Sequence, residues 1–318
     1  MSYPTLRLHP RKEESVLRFH PWIFSGAIAS FSAPVEDGDL VSVVDSKGRP
    51  LGTGHFGGGS IAVRLLSFDA EEVIDRAFYK RRLEAALRLR LSCDLVRPVG
   101  SSDSPNTTYR LVHGEGDSLP GLIIDIYDRT AVVQAHSLGM HQARQTIAEV
   151  LWEVFAEAGD PVLPLEGIYY KSETTLPTRD MRELASDGFL IGHTEAAPIY
   201  ENGVRFTPDW LKGQKTGFFI DQRDNRALVA HYAKGRTVLN AFCYTGGFSI
   251  YALHAGAKRV DSLDSSAKAM YLTEQHVALN FGTDCPRHHS VTEDAFDYLE
   301  RMPEGEYDLI ILDPPAFA

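Results

Sequence analysis

What this sequence lacks narrows its identity first. Only three cysteines occur in 318 residues: Cys93, Cys243 and Cys285. So sparse and odd a set does not build a disulfide framework, and it fits a reducing compartment. No apolar run approaches the roughly 20 residues of a membrane-spanning helix. The opening stretch, MSYPTLRLHPRKEESV, has no apolar core and no small-residue cleavage site, so no signal peptide is read there. These absences lead us to expect a cytoplasmic protein without membrane contact. A basic surplus is also missing. The formal net charge of −11 argues against a general polyanion binder. Internal repeats and low-complexity segments are absent.

What is there is unevenly placed. Residues 1–100 carry 14 Lys+Arg against 12 Asp+Glu, whereas residues 101–318 carry 18 against 31. Any nucleic acid is therefore expected to meet the N-terminal third first, although uneven charge serves solubility equally well. Apolar content of 43% and charged content of 24% are ordinary for a globular chain.

Three segments separate by texture, giving expected domains 1–70, 71–192 and 193–318. The first is rich in short strands and glycine. Val41 and Val43 before Ser-Lys-Gly read as a hairpin, and Ala62 to Leu66 as another strand, so a small β-barrel-like module is expected. The stretch from Glu71 to Leu91 has strong helix formers and no breaker, which predicts one long helix. A loop at 92–108, several strands, a helix from about His141 to Ala158 and the strand GIYYKSE make the second segment a central α+β domain. In the third, IYENGVRFTPDWLKGQKTGFF reads as a hairpin. DQRDNRALVAHYA reads as a helix with Asp221 as its N-cap. Strand and helix then alternate through TVLNAF, IYALHAGA, RVDSLDSS, AKAMYLTEQHVALN, PRHHSV and YDLIILD. Aliphatic strands alternating with helices predict a doubly wound parallel sheet.

The chemistry gathers in that sheet. Its first strand runs into Asn240, Phe242, Tyr244, Thr245 and Gly246, a glycine loop whose amides can approach a ligand at a helix N-terminus. Asp264, 24 residues after Asn240, ends the second strand, where an acid suits the two hydroxyls of a ribose. The pattern is not Gly-x-Gly-x-x-Gly, and nothing basic is set to hold a pyrophosphate, so a nucleoside ligand without phosphates is preferred over a dinucleotide. Asp294 follows the third strand, where it would accept from the exocyclic amine of adenine or cap the next helix. Asp313-Pro314-Pro315 follows the fourth. The prolines remove two donors and fix φ twice, giving a rigid edge against which a flat base can lie. All four acids and amides fall at the carboxyl ends of strands, where such sheets bind ligands. His288 and His289 are adjacent rather than at metal-ligand spacing, and no metal is expected.

VLNAFCYTGGFSIYALHAGAKRVDSLDSS, EDAFDYL and DLIILDPPAFA resemble class I S-adenosylmethionine-dependent methyltransferase motifs. LKGQKTGFFIDQRDNR resembles the segment before the cofactor loop in one branch, the large-subunit ribosomal RNA cytosine-5 methyltransferases that carry an N-terminal PUA domain. HPWIFSGAI and PLGTGHF resemble that PUA module. The likeness covers essentially the whole chain in one domain order. It implies a Rossmann-like sheet preceded by PUA-like and α+β domains, S-adenosylmethionine as cofactor and ribosomal RNA as substrate. A homodimer is compatible with it. It implies that Phe242, Tyr244, Thr245 and Gly246 cradle the methionine part, that Asp264 holds the ribose, that Asp294 meets the adenine, that Ser265 and Asn240 contact the cofactor, and that Gln222 and Arg223 line the pocket. Asp313 and Pro314 would face the target base.

Carbon 5 of cytosine is a poor nucleophile and needs a thiolate to add to the ring. Ala316 stands where one cytosine-5 branch has its cysteine. In the branch resembled here, that cysteine comes after the next strand, beyond Ala318. Cys243 reads as packing. Because only four strands of an implied seven precede residue 318, we expect these residues to belong to a longer protein; three more strands and two helices need roughly 70 residues. Two alternatives stay open: a methyltransferase acting on adenine or guanine, and a non-catalytic RNA-binding scaffold. For RNA contact, Arg76, Lys80, Arg81, Arg82, Arg88 and Arg90 cluster on the long helix, with Glu84 the only acid between residues 76 and 90, a set that would bind phosphates or form a solvated helix face.

Overall fold

The computed structural model describes residues 3–100, 104–177 and 186–314. The chain divides into two compact units. One comprises residues 1–99, 107–195 and 209–217, the other residues 100–106, 196–208 and 218–318.

The first unit contains two sheets. Strands β1 (Thr5–Leu8), β2 (Trp22–Phe24), β3 (Ile28–Phe31), β4 (Leu40–Val44), β5 (Pro50–Phe56) and β6 (Ile61–Ser67) pair in the order β2-β6-β5-β4-β1-β3. Only the β1–β4 pair is parallel. Period-2 alternation turns Leu6, Leu8, Val41, Val43, Val63 and Leu65 inward. The Ser-Lys-Gly turn is organised by Asp45, whose buried carboxylate accepts from the amides of Lys47 and Arg49, each at 2.8 Å.

The second sheet holds β7 (Thr108–His113), β8 (Leu122–Tyr127), β9 (Thr130–Ala135), β10 (Gly167–Tyr170) and β11 (Gly188–Gly192), in the order β11-β10-β9-β8-β7. Helices Arg76–Ser92 and Arg144–Ala158 belong to its core, where Phe78, Leu83, Ile147 and Phe155 join Leu111, Ile124 and Val133. Fully burying each such side chain contributes about 1.5–3 kcal/mol. The expected boundary near residue 70 falls inside this compact unit.

Two helix boundaries differ from expectation. The long helix starts at Arg76 rather than Glu71, because the Asp75 carboxylate accepts from the Phe78 amide at 2.9 Å and so caps it. The helix expected from His141 is two, Leu138–Gln142 and Arg144–Ala158.

The second unit begins with hairpin β12 (Ile199–Glu201) and β13 (Val204–Phe206). Its turn residues Asn202 and Gly203 both have positive φ, 49° and 83°, as a two-residue hairpin loop requires. Helix Arg223–Ala233 follows. Asp221 does not cap it. Asp221 lies inside a 3-10 turn, Ile220–Gln222, that runs directly into the helix and makes Gln222 the cap position. Strands β14 (Thr237–Ala241), β15 (Arg259–Asp264), β16 (His288–Thr292) and β17 (Leu309–Leu312) form an all-parallel sheet in the order β16-β15-β14-β17. Helices Gly247–His254, Ala267–Phe281 and Ala295–Arg301 connect them. No helix among the described residues is long and apolar enough to cross a membrane.

Candidate active site

Parallel pairing brings the carboxyl ends of the four strands to one edge. Ala241 stands opposite Leu263 and Leu312, and Asp264 opposite Thr292. Asp264 closes β15, Asp294 lies two residues past β16, and Asp313 directly follows β17. Three carboxylates on one rim suit a ligand that brings positive charge.

The loop after β14 is wound tightly. Phe242, Tyr244 and Gly246 all have positive φ, 55°, 50° and 75°. Asp264 holds it from the next strand: one carboxylate oxygen accepts from the Tyr244 amide and the other from the Ser266 amide, both at 2.9 Å. A carboxylate has about four lone-pair sites. Two are therefore spent on backbone amides, one in the loop and one just past β15, and the rest are available to a diol. The residues present thus fit a nucleoside ligand. Tyr244 also meets Phe219 edge-on at 5.4 Å between ring centroids.

Two side chains not singled out from the sequence fix this loop from beneath. The Thr273 hydroxyl donates to the Tyr244 carbonyl at 3.0 Å. His276 Nδ1–H donates to the Thr245 carbonyl at 2.8 Å, while its Nε2 accepts from the Thr207 amide at 3.1 Å. Nε2 also lies 3.3 Å from the Thr207 carbonyl, and burial lowers the imidazole's proton affinity. The signal in the sequence was two polar residues, three apart, on the face of helix Ala267–Phe281 that also carries Met270 and Val277.

Beside the loop lies a buried ion pair, also missed. Glu201, fully buried, accepts from Arg226 at 2.8 and 2.7 Å and from the Tyr251 hydroxyl at 3.0 Å. Arg223 Nε approaches the same carboxylate at 3.5 Å. Arg223 is therefore buried against Glu201, whereas Gln222 is half-buried and accepts from Asn225 at 2.7 Å.

The other expected residues sort as follows. The Asn240 side chain is turned into the layer between sheet and helix, where it donates to Ser249 Oγ at 2.9 Å; a chain through Ser262 ends on His288. Asp294 caps helix Ala295–Arg301, accepting from Phe296 at 2.8 Å, and remains solvent-exposed. Phe242 packs edge-on against Phe296, and Ser265 is exposed. Asp313 and Pro314 are exposed at the strand end; Pro315, Ala316 and Phe317 lie outside the described residues. Cys243 is buried with its Sγ 3.5 Å from Met270 Sδ, and burial pushes its thiol up to about 12. No grouping of three or more His, Cys, Asp or Glu able to hold a metal occurs among the described residues.

The basic cluster on the long helix is opposed by more than Glu84. Arg76 pairs with Glu149 and Glu153, Lys80 with Glu153 and Glu157, and Arg81 and Arg82 with Glu72; Arg88 stands 3.8 Å from Glu84. Four of these acids lie off the helix, three of them on helix Arg144–Ala158, which spacing along one helix could not reveal.

The buried histidines of this unit make a pH prediction. His276 and His288 are held below the ordinary imidazole range chiefly by burial, His288 to about 4. Unfolded, both take up protons near pH 6.5. Their contribution is complete above that pH and is lost as pH falls towards 4. The urea midpoint is expected to fall between pH 7 and pH 5, and a flat midpoint across that window would contradict the assignment.

Comparison with known proteins agrees with this geometry. Residues 6–68 match the PUA-like domain family, and residues 178–318 the S-adenosylmethionine-dependent methyltransferase family. Proteins named ribosomal RNA large subunit methyltransferase I are similar along nearly the whole chain. The one from Alteromonas mediterranea is 39% identical over 98% of this chain and 75% of its own length. That from Shewanella denitrificans is 40% identical over 98% and 76%, and that from Klebsiella pneumoniae 36% over 99% and 76%. A SAM-dependent methyltransferase structure from Streptococcus mutans superposes with a TM-score of 0.79 at 25% identity, covering 99% of this chain and 77% of that one. A methyltransferase crystal structure complexed with SAH gives 0.80 at 24%, covering 100% and 77%. With a glycine loop held by Asp264 at the edge of a parallel sheet, and that identity along its length, the chain belongs to the family of the ribosomal RNA large subunit methyltransferase I proteins, S-adenosylmethionine-dependent methyltransferases that carry a PUA-like domain.

Proposed function

We propose that the protein methylates carbon 5 of a cytosine in large-subunit ribosomal RNA, with S-adenosylmethionine as methyl donor. The observation that carries this reading is 36–40% identity, over 98–99% of the chain, to proteins named for large-subunit ribosomal RNA methylation. Bound S-adenosylmethionine supplies an electrophilic methyl group on a sulfonium. The chain's own residues then do the positioning, which is most of the catalysis in an in-line displacement. In this reading Phe242 to Gly246 cradle the methionine part, Asp264 accepts from the ribose hydroxyls, and the exposed Asp294 meets the adenine edge with the oxygens its cap leaves free. Asp313 and Pro314 form the rigid edge that the cytosine lies against. The attacking thiolate is not Cys243, whose thiol burial keeps protonated. On the resemblance it belongs to a cysteine that follows the next strand of the sheet. We place the reaction in the cytoplasm, where a catalytic thiol stays reduced. A homodimer is compatible with this reading.

The test is to incubate unmodified large-subunit RNA with labelled methyl donor and the protein as its own cell makes it, then sequence after bisulfite treatment. One newly deamination-resistant cytosine is expected. Label on adenine or guanine would replace the cytosine assignment. No label from a protein that binds S-adenosylhomocysteine would point to an RNA-binding scaffold.

A further inference from the structure

The first unit holds a cavity of about 490 Å³ that the methyl-transfer site does not use. It opens on the second sheet, where the register sets Arg110 opposite Asp125 and Ile123 opposite Gln134. Trp22 on β2 and Arg64 on β6 complete the wall from the first sheet, and Lys215 joins from a distant segment. Three cations thus converge from sequence positions 64, 110 and 215 in a chain of net charge −11.

The polar groups here differ in how far they are already committed. Arg110 is anchored on the fully buried Asp125 at 2.8 and 2.9 Å, and Asp125 is further bound by Thr216 at 2.6 Å. Arg64 is different. It is half-buried and, among the described residues, makes no side-chain hydrogen bond or ion pair. Glu115, the acid in the lining, accepts from the Trp22 indole N–H at 2.7 Å, which fixes the ring at the cavity wall. Burial and the charges of Arg110 and Arg64 keep His136 neutral, so it offers hydrogen bonds without adding charge. A half-buried guanidinium that feels the charge of Glu115 but is hydrogen-bonded to no carboxylate, facing a cavity with an aromatic wall, has donors left for an anion.

We propose that this cavity is a subsite for one nucleotide of single-stranded RNA, with its phosphate on Arg64 and its base against Trp22. The volume lies in the range of small-molecule pockets. Aromatic stacking beside a bidentate cation is the usual chemistry for an unpaired nucleotide. The proposal rests on the ribosomal RNA reading above. It moves RNA contact from the long helix, whose cations have carboxylate partners, to a site assembled only by folding.

The test uses a fluorescein-labelled single-stranded RNA oligomer in anisotropy titrations at several salt concentrations, with S-adenosylhomocysteine calorimetry as the control for an intact cofactor site. Arg64→Gln is expected to weaken RNA binding roughly tenfold and to reduce the slope of log K against log salt by about 0.7, one single-strand phosphate contact. Ile123→Trp fills the cavity without touching charge and is expected to weaken binding to a similar extent. Both variants should bind S-adenosylhomocysteine as wild type does. If wild type binds RNA and both variants match it in affinity and slope, the subsite is overturned and the RNA reading stands. If wild type binds S-adenosylhomocysteine but not RNA, the RNA reading fails and the subsite with it.

Discussion

Gly246→Ala is expected to weaken S-adenosylhomocysteine binding at least about 30-fold, read by calorimetry. Two costs add. The φ of 75° is left-handed, which costs a residue with a Cβ about 1–2 kcal/mol. The new Cβ would also stand 2.5 Å from Thr273 Cγ2. Thr273 cannot swing away cheaply, because it is fully buried and its hydroxyl bonds both the Tyr244 and the Ala269 carbonyls. Overpacking of this kind costs about 1–3 kcal/mol. Relief comes by shifting the loop, and the loop is what Asp264 orients. A Gly246→Ala/Thr273→Ser double variant removes the offending methyl. It should recover the steric part of the loss and keep the φ part, a coupling that a cycle of the three variants measures. Unchanged affinity in Gly246→Ala would mean that this loop is not the cofactor cradle.

Glu201→Ala should be the most destabilising single change in the second unit. It leaves Arg226, 2% exposed, with its charge buried and its carboxylate partner gone. Breaking a buried pair from one side costs about 3–5 kcal/mol. For a unit of this size that lowers Tm by roughly 10 °C or more. Arg226 also donates to the Phe219 carbonyl at 2.9 Å, and its guanidinium lies 4.7 Å over the Phe218 ring. Phe219 in turn packs against Tyr244 of the glycine loop, the proposed cofactor cradle. Cofactor affinity should therefore fall along with stability. Replacing both charges with apolar residues of similar volume should cost less than either single loss, since no charge is then stranded. A melting temperature within about 2 °C of wild type for Glu201→Ala would show that water reaches Arg226 and that the pair is not sealed.

Several features were legible in the chain because they depend on neighbours a few residues away. Alternation of aliphatic strands with helices announced the parallel sheet, and β14 to β17 lie where TVLNAF, RVDSLDSS, PRHHSV and YDLIILD were read. The stretch from Ile199 was read as a hairpin, and its turn falls at Asn202-Gly203, a pair that accepts two positive φ angles. The carboxyl-end placement of Asp264, Asp294 and Asp313 followed from the same strand pattern. Misreadings were also local. Asp221 had the right chemistry for a cap, but the 3-10 turn took it past the helix start.

What only the tertiary structure decided is which charges meet. The arginines of the long helix had no visible opponents, because helix Arg144–Ala158 supplies Glu149, Glu153 and Glu157 from about 70 residues away. Asn240 turned inward because Ser249 and Ser262 offered it a buried hydroxyl chain. Thr273 and His276 became loop supports only once helix Ala267–Phe281 lay against the glycine loop. Backbone propensity acts over one turn of helix or one hairpin, so the sequence by itself determined the elements, their order and the family. Electrostatic and steric pairing act over a few ångströms of space regardless of chain distance. Folding alone therefore decided that Arg110 is held by Asp125, that Arg226 is held by Glu201, and that Arg64 faces a cavity shared with Glu115 and Trp22.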